Sequence, residues 1–143
     1  MTALALLAAA ACLATPVVTS ESGRTIVRAG PFQGDLQPRY DVVAGRFSLR
    51  AGGHRVGGGS QKIGWLVYSR RAAGDTMVVT GRRLAGPPQT FTQEFTRAWA
   101  AGITRPFFPS IISPPSAGCW RLTFRSGNVT GALTVLVRPR PAR

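Results

Sequence analysis

Two cysteines and a single histidine are the side chains in this sequence that suggest nucleophilic or metal chemistry. They are Cys12, Cys119 and His54. Cys119 and His54 would form a thiolate–imidazole dyad if the fold brought them together, and Arg121 and Arg125 share the strand face of Cys119. A zinc or copper site needs several thiolate or imidazole ligands. We therefore expect no metal and no cofactor, and we interpret Cys119 as a small buried thiol.

The carboxylates are too few and too scattered to suggest an acid-catalysed hydrolase. Such an enzyme needs two carboxyl groups in one cleft, and Asp35 with Asp41 is the only pair that is close in sequence. Both lie near predicted turns, where aspartate commonly caps the chain. We predict that the protein is not an enzyme.

Basic charge is the strongest compositional feature of the chain. The formal net charge is +13, and Lys62 is the one lysine among eighteen basic side chains. If the strands predicted at 62–70 and 75–84 pair as a hairpin, its ends bring together Arg70, Arg71, Arg82 and Arg83. These four arginines are the candidate polyanion contacts, and Arg138-x-Arg140 is a further basic patch. The partners would be anionic envelope polymers or lipid head groups, without specific nucleic-acid readout, and the alternative is a solvated basic surface.

The first twenty residues are predicted to be a signal peptide or lipoprotein leader. They contain no charged side chain, and their apolar run fits the hydrophobic region of a secretory signal. Residues 9–12 (Ala-Ala-Ala-Cys) resemble a lipobox in which Cys12 is acylated. Cleavage after Ala14, an uncleaved anchor and a buried core helix are the alternatives. If Cys12 is acylated or removed, Cys119 has no partner and the fold lacks a disulfide; a Cys12–Cys119 bridge needs the segment to stay on.

Alternating apolar residues predict strands along the rest of the chain. Residues 119–125 and 132–138 alternate on either side of a polar turn that contains Ser-Gly-Asn, which indicates an antiparallel hairpin. Trp65, Trp120, Phe124 and Val135 are predicted core residues. Phe91, Phe95 and Trp99 fit a helix over residues 90–102, although the same residues also fit a strand. Residues 51–61 contain five glycines but lack the lysine and hydroxyl placement of a phosphate-binding loop.

These elements predict an all-β protein, an antiparallel β-sandwich of about seven or eight strands with at most one short helix. The predicted domains are a leader at residues 1–20, the sandwich at 21–138 and a basic, proline-rich tail at 139–143.

The segment Pro115-Ser-Ala-Gly-Cys-Trp120, with the hairpin that follows it, resembles the C-terminal signature of a group of small bacterial exported proteins and lipoproteins. Ile63-Gly64-Trp65 and residues 80–84 (Thr-Gly-Arg-Arg-Leu) resemble upstream positions of the same group, so the similarity covers residues 62–138. The resemblance implies an immunoglobulin-like fold and an extracytoplasmic location, in the periplasm or at the cell surface. It implies no catalytic residue. The predicted function is a non-catalytic binding or accessory domain of the cell envelope, with polyanion binding as the alternative and a Cys119-dependent thiol enzyme as a third hypothesis.

Overall fold

The computed structural model describes residues 12–142, and its strands form two β-sheets that pack face to face. In chain order the strands are β1 (Val18–Thr19), β2 (Thr25–Ala29), β3 (Phe32–Asp35), β4 (Val42–Val43), β5 (Arg46–Arg50), β6 (Ile63–Val67), β7 (Thr76–Arg83), β8 (Thr90–Thr96), β9 (Phe107–Ser110), β10 (Gly118–Ser126) and β11 (Val129–Arg138). One sheet has the order β1-β2-β3-β6-β9, and the other has the order β4-β5-β11-β10-β7-β8. The predicted all-β sandwich is confirmed. It has more strands than the seven or eight expected, because several are only two to four residues long.

The helical content differs from the prediction in its position. Within residues 12–142 the helical segments are α1 (Pro38–Asp41) and a 3-10 turn (Ala51–Gly53). The helix predicted over residues 90–102 is wrong, because Thr90–Thr96 form β8 and pair with β7 from end to end. The spacing of Phe91 and Phe95 fits both a helix and a strand, and the segment is a strand because it pairs with β7. The ring of Phe91 packs edge-on against Trp120, at 5.5 Å between ring centroids.

The core lies between the two sheets and is built around aromatic rings. Trp65, Trp120, Phe124 and Val135 are completely buried, as the strand alternation predicted. The centroids of Trp65 and Phe124 are 4.5 Å apart, and the Trp65 indole N–H donates to Ser110 Oγ at 2.9 Å. A buried indole N–H without a partner would cost about 1–3 kcal/mol, so this hydrogen bond lets Trp65 occupy the centre of the core.

The predicted hairpin of residues 119–138 is confirmed. β10 and β11 pair antiparallel over nine residue pairs, from Gly118 opposite Val137 to Ser126 opposite Val129. The outer side of β11 is closed by β5, which runs parallel to it with Leu49 opposite Val137. The sandwich is therefore antiparallel except at this one pairing among the described strands.

The predicted hairpin between β6 and β7 is wrong, because the two strands belong to different sheets. β6 pairs with β3 and β9, and β7 pairs with β8 and β10. The loop of residues 68–75 crosses from one sheet to the other, a distance of about 10 Å. Crossing lets β6 and β7 each turn one apolar face toward the shared core, whereas a hairpin would have kept both strands in one sheet.

The first described residues pack against strands of the sandwich. Ala14 is buried, and Thr15 bonds through its backbone to Thr134 on β11 and to Phe47 on β5. The Val17 N–H donates to the Gly45 carbonyl at 3.0 Å, and β1 pairs with β2. Residues 12–20, which belong to the 1–20 segment predicted as a leader, are therefore in contact with the sandwich in this structure, and the leader itself stays a prediction. The rest of that predicted leader, residues 1–11, lies outside the described residues.

No helix within residues 12–142 is long and apolar enough to cross a lipid bilayer.

Candidate functional site

The two cysteines are joined in a disulfide, whereas the prediction favoured a disulfide-free fold and allowed this bridge only if the N-terminal segment is retained. Cys12 and Cys119 lie 107 residues apart in sequence and 5.4 Å apart between their Cα atoms. Thr15 of the N-terminal segment bonds to Thr134 of β11, and Cys119 lies on β10 opposite Leu136 of β11, so the two sulfurs meet beside β11. The prediction failed because it assigned Cys12 to a removed or acylated leader. Neither cysteine is free in the described chain.

The disulfide bears on two of the chemical hypotheses. A lipid thioether and a disulfide would use the same Cys12 sulfur, so they are alternatives, and the structure contains the disulfide. The Cys119/His54 dyad requires a thiolate at Cys119. A disulfide sulfur carries no proton and is not a thiolate, so the dyad is not formed in this structure.

The four arginines predicted as a polyanion cluster are not brought together. Arg70 and Arg71 are exposed in the loop that precedes β7, whereas Arg82 and Arg83 are at the end of β7. At a rise of about 3.3 Å per residue, β7 separates the pairs by roughly 20 Å. Arg82 lies instead beside Arg121, its register partner on β10. The four arginines therefore do not form one cluster. They would not form one in a β6–β7 hairpin either, because Arg70 and Arg71 would lie at the turn and Arg82 and Arg83 at the far end of β7. Their contact with polyanions stays a prediction.

A different group of arginines surrounds a cavity of about 230 Å³ at one end of the sandwich. We call it the arginine pocket. Its walls are Arg39, Tyr40, Arg50, His54, Arg55, Val56, Gln61 and Arg138. Helix α1, the end of β5, the glycine-rich loop after the 3-10 turn and the end of β11 all contribute to it. A second cavity adjoins it, shares His54 and Arg55, and adds Arg140 and the glycines at 57–59.

Hydrogen bonds to the backbone hold two of these guanidinium groups in place. Arg138 donates to Ser48 Oγ at 2.9 Å and to the Tyr40 carbonyl at 3.1 Å. Arg50 donates to the Pro139 carbonyl at 3.0 Å. The guanidinium of Arg55 lies over the Tyr40 ring, 4.7 Å from its centroid, and its buried Nε has no hydrogen-bond partner among the described residues. A guanidinium offers five N–H donors, so each keeps donors that the protein itself does not use.

Gln61 forms the floor of the pocket and connects its parts. Its side-chain oxygen accepts from the Arg50 N–H at 2.6 Å, and its amide nitrogen donates to the Tyr40 carbonyl at 3.0 Å and to Asp41 Oδ1 at 2.9 Å. The other Asp41 oxygen accepts from the Gln37 N–H at 2.7 Å. A buried network of this kind fixes the positions of the surrounding arginines.

The electrostatics of the pocket are dominated by positive charge. Burial raises the pKa of Asp41 above its ordinary value, against the opposing effects of its hydrogen bonds and of Arg55 and Arg138. Burial, and then the like charge of Arg50, lowers the pKa of Arg138. Among the described residues the one side-chain ion pair is Arg24–Asp35, away from this site. The pocket therefore holds several arginines whose charge is not neutralised by a carboxylate contact within residues 12–142.

His54 and Arg140 extend the site toward the C-terminal tail. The guanidinium of Arg140 contacts Nε2 of His54, and because arginine only donates, the imidazole nitrogen accepts. Sequence analysis had noted Arg138-x-Arg140 as a basic patch but had treated residues 51–61 as a simple loop. The sequence did contain a signal for the arginine pocket: this basic patch, together with Arg50 and Arg55 on either side of a glycine-rich turn.

We expect the stability of the protein to fall as pH rises through the folded-state pKa of Asp41. Because this pKa is raised, the folded protein binds the proton more tightly than the unfolded chain does. The stabilisation is fully present below the ordinary value of 3.8 and is lost above the raised value. Thermal unfolding of the wild type and of Asp41→Asn between about pH 3 and pH 7 measures the effect. The melting temperature of the wild type should rise relative to that of the variant on acidification, and parallel curves would contradict the assignment.

Within residues 12–142, no group of three or more His, Cys, Asp or Glu side chains is placed to hold a metal ion. Comparisons of the chain with protein-family models, with curated proteins and with solved structures found no match. The resemblance to exported immunoglobulin-like proteins therefore stays a prediction, and the functional argument depends on the geometry of the site.

Proposed function

We propose that this protein is a non-catalytic, extracytoplasmic binding domain whose ligand is anionic. The observation that carries the proposal is the arginine pocket. Arg50, Arg55 and Arg138 converge there on one cavity, and the nearest carboxylate, Asp41, is buried beneath it with a raised pKa.

Guanidinium groups in this arrangement favour ligands with phosphate, sulfate or carboxylate groups. Arginine binds such groups through two parallel N–H donors, and charge-assisted hydrogen bonds are about twice as strong as neutral ones. Backbone acceptors already orient Arg50 and Arg138, so less side-chain entropy is lost when a ligand binds. A bound anion would also relieve the repulsion between Arg50 and Arg138.

The disulfide supports an extracytoplasmic location. Disulfides persist in secreted, periplasmic and cell-surface proteins and are rare in the reducing cytoplasm. The anionic ligands available in such a compartment include envelope polymers and lipid head groups. If an export leader is removed, cleavage before Cys12 would retain the bond, whereas cleavage after Ala14 would remove one of its cysteines.

Binding to inorganic polyphosphate at increasing salt concentration tests the proposed ligand class. Log Kd should rise linearly with log salt concentration, because binding releases counterions. In the double variant Arg50→Gln/Arg55→Gln we expect binding to weaken by about tenfold or more, from the loss of two charge-assisted contacts. The salt dependence should also become shallower in that variant.

The control is Arg121→Gln/Arg125→Gln, which removes the same net charge from the exposed outer face of β10. This variant should bind polyphosphate nearly as well as the wild type. An equal loss in both double variants would indicate a non-specific basic surface, and a salt-independent affinity would contradict anion binding altogether.

A further inference from the structure

An exposed tryptophan lies at the end of the sandwich opposite the arginine pocket. The loop between β8 and β9 spans residues 97–106, and it leaves the sheet beside the start of β7, because Thr96 pairs with Thr76. The arginine pocket is at the other end, where Val137 of β11 pairs with Gly118. Trp99 is 77% exposed, whereas Trp65 and Trp120 are completely buried. We call the loops of residues 68–75 and 97–106 the tryptophan end.

The tryptophan end concentrates exposed apolar surface. Seven large hydrophobic side chains are exposed within the described residues, and three of them, Tyr68, Trp99 and Ile103, lie here. Ala100 and Ala101, between Trp99 and Ile103, are exposed as well. The tip of the longer loop therefore reads Trp-Ala-Ala-Gly-Ile, without a charged residue.

The loop is held in position by the protein, so the exposure of Trp99 is part of the fold. The Arg97 N–H donates to the Asp75 carbonyl at 2.8 Å, and the Ala98 N–H donates to the Phe107 carbonyl at 2.9 Å. On the far side of the tip, the Pro106 carbonyl accepts from the Val67 N–H at 3.0 Å. The loop thus starts and ends on the two sheets and leaves Trp99 exposed, while Ile103 lines a cavity with Lys62 and Phe107.

Arginines surround the apolar tip. The guanidinium of Arg97 lies over the Trp99 ring at 4.1 Å from its centroid, and that of Arg105 lies over the Tyr68 ring at 4.0 Å. Arg70 and Arg71 are exposed in the adjoining loop. Asp75 is the one carboxylate in the two loops, and from other segments Glu21 lines a cavity with Tyr68 and Asp35 lines one with Ile103. An apolar tip with a basic border matches the cross-section of an anionic membrane surface, where apolar groups lie beneath a layer of phosphates.

We propose that the tryptophan end docks on the surface of an anionic lipid bilayer. Trp99 and Ile103 enter the interfacial region, where tryptophan is enriched in membrane proteins, and Arg70, Arg71 and Arg105 contact lipid phosphates. Each basic side chain near such a surface contributes about a fivefold gain in affinity. A lipid surface explains Ile103 and the alanines, which offer no ring to stack on a nucleic-acid base or a sugar. One face of each exposed ring is also already covered by an arginine.

Tryptophan fluorescence of the full, oxidised protein provides a specific test. Because Trp65 and Trp120 are buried, changes in emission and in acrylamide quenching on membrane binding report on Trp99. Vesicles of phosphatidylcholine mixed with phosphatidylglycerol should shift the emission to shorter wavelength and protect Trp99 from quenching. Vesicles of phosphatidylcholine alone should do so much less, since the arginines then lack their partners.

Variants separate this surface from the arginine pocket. Trp99→Ala should weaken co-sedimentation with the anionic vesicles by roughly tenfold to a hundredfold, as expected for loss of a large buried apolar side chain. Arg70→Gln/Arg71→Gln should weaken it by about tenfold or more. The matched control Leu84→Ala removes an exposed apolar side chain from the other end and should bind like the wild type.

The proposal does not depend on the arginine pocket, and the experiments distinguish the two. Arg50→Gln/Arg55→Gln should weaken polyphosphate binding while it keeps most of its vesicle binding, and Trp99→Ala should weaken vesicle binding while it keeps most of its polyphosphate binding. Equal vesicle binding by the wild type and Trp99→Ala would overturn the membrane proposal, as would an identical blue shift with polyphosphate and no vesicles.

Discussion

Removal of the Cys12–Cys119 disulfide is expected to lower the free energy of unfolding by about 4–5 kcal/mol. The bond closes a loop with a sequence separation of 107 residues, and the entropy lost by the unfolded chain grows with the length of the closed loop. The bond also retains the N-terminal segment, whose backbone pairs with Thr134 and Phe47. The double variant Cys12→Ala/Cys119→Ala should therefore melt roughly 10–20 °C below the oxidised wild type in calorimetry.

Thiol labelling and intact mass provide the control for this prediction. The denatured, unreduced wild type should take up no maleimide at either cysteine, and its mass should increase by two labels only after reduction. Equal melting temperatures of the wild type and the double variant would contradict a stabilising role. A mass that includes a diacylglycerol adduct at Cys12 would show that the lipid, and not the disulfide, uses this sulfur.

Gly131→Ala is expected to destabilise the protein by about 3 kcal/mol or more, in the upper range for overpacked cores. A Cβ at position 131 would lie 1.9 Å from the carbonyl oxygen of Ala29, on a strand of the opposite sheet. Because the obstacle is backbone and not the end of a flexible side chain, β11 and β2 would have to separate. Chemical denaturation measures the change, and the midpoint should fall with little change in slope.

Gly45→Ala is the comparison for this prediction. Gly45 has a positive φ of 73° but open space around its Cβ position, so its substitution costs backbone strain alone, about 1–2 kcal/mol. The loss at Gly131 should exceed the loss at Gly45. A larger loss of stability at Gly45 than at Gly131 would show that the two sheets are packed less closely at Gly131 than in this structure.

The arginine pocket and the tryptophan end are the two surfaces that we propose as functional, and they lie at opposite ends of the sandwich. Arg50 and Arg138 are fixed by backbone carbonyls around a concave site, which suits a discrete anionic group. Arg97 and Arg105 lie over exposed rings beside an apolar tip, which suits a surface. A domain that contacts a membrane at one end can present its ligand pocket away from that membrane at the other.

Strand alternation was sufficient to predict the centre of the fold. The pattern in residues 119–138 identified the β10–β11 hairpin, and the same alternation identified Trp65 and Trp120 as core residues. These predictions depend on local physics, because successive side chains of a strand point to opposite faces and a short polar turn joins neighbouring strands. Residues 90–102 show the limit of that signal, since Phe91 and Phe95 fit both a helix and a strand.

The sequence by itself determined the fold class, the buried aromatic residues and the strongly basic character of the surface, because each of these follows from residue type and from spacing within one segment. The tertiary structure alone decided which distant residues meet. In the structure Cys12 is bonded to Cys119, and β6 and β7 lie in different sheets. Arg50, Arg55 and Arg138 surround one cavity. Such contacts depend on the order of the strands in the sheets. Many strand orders have similar local energy, and the packing of the whole core selects one of them.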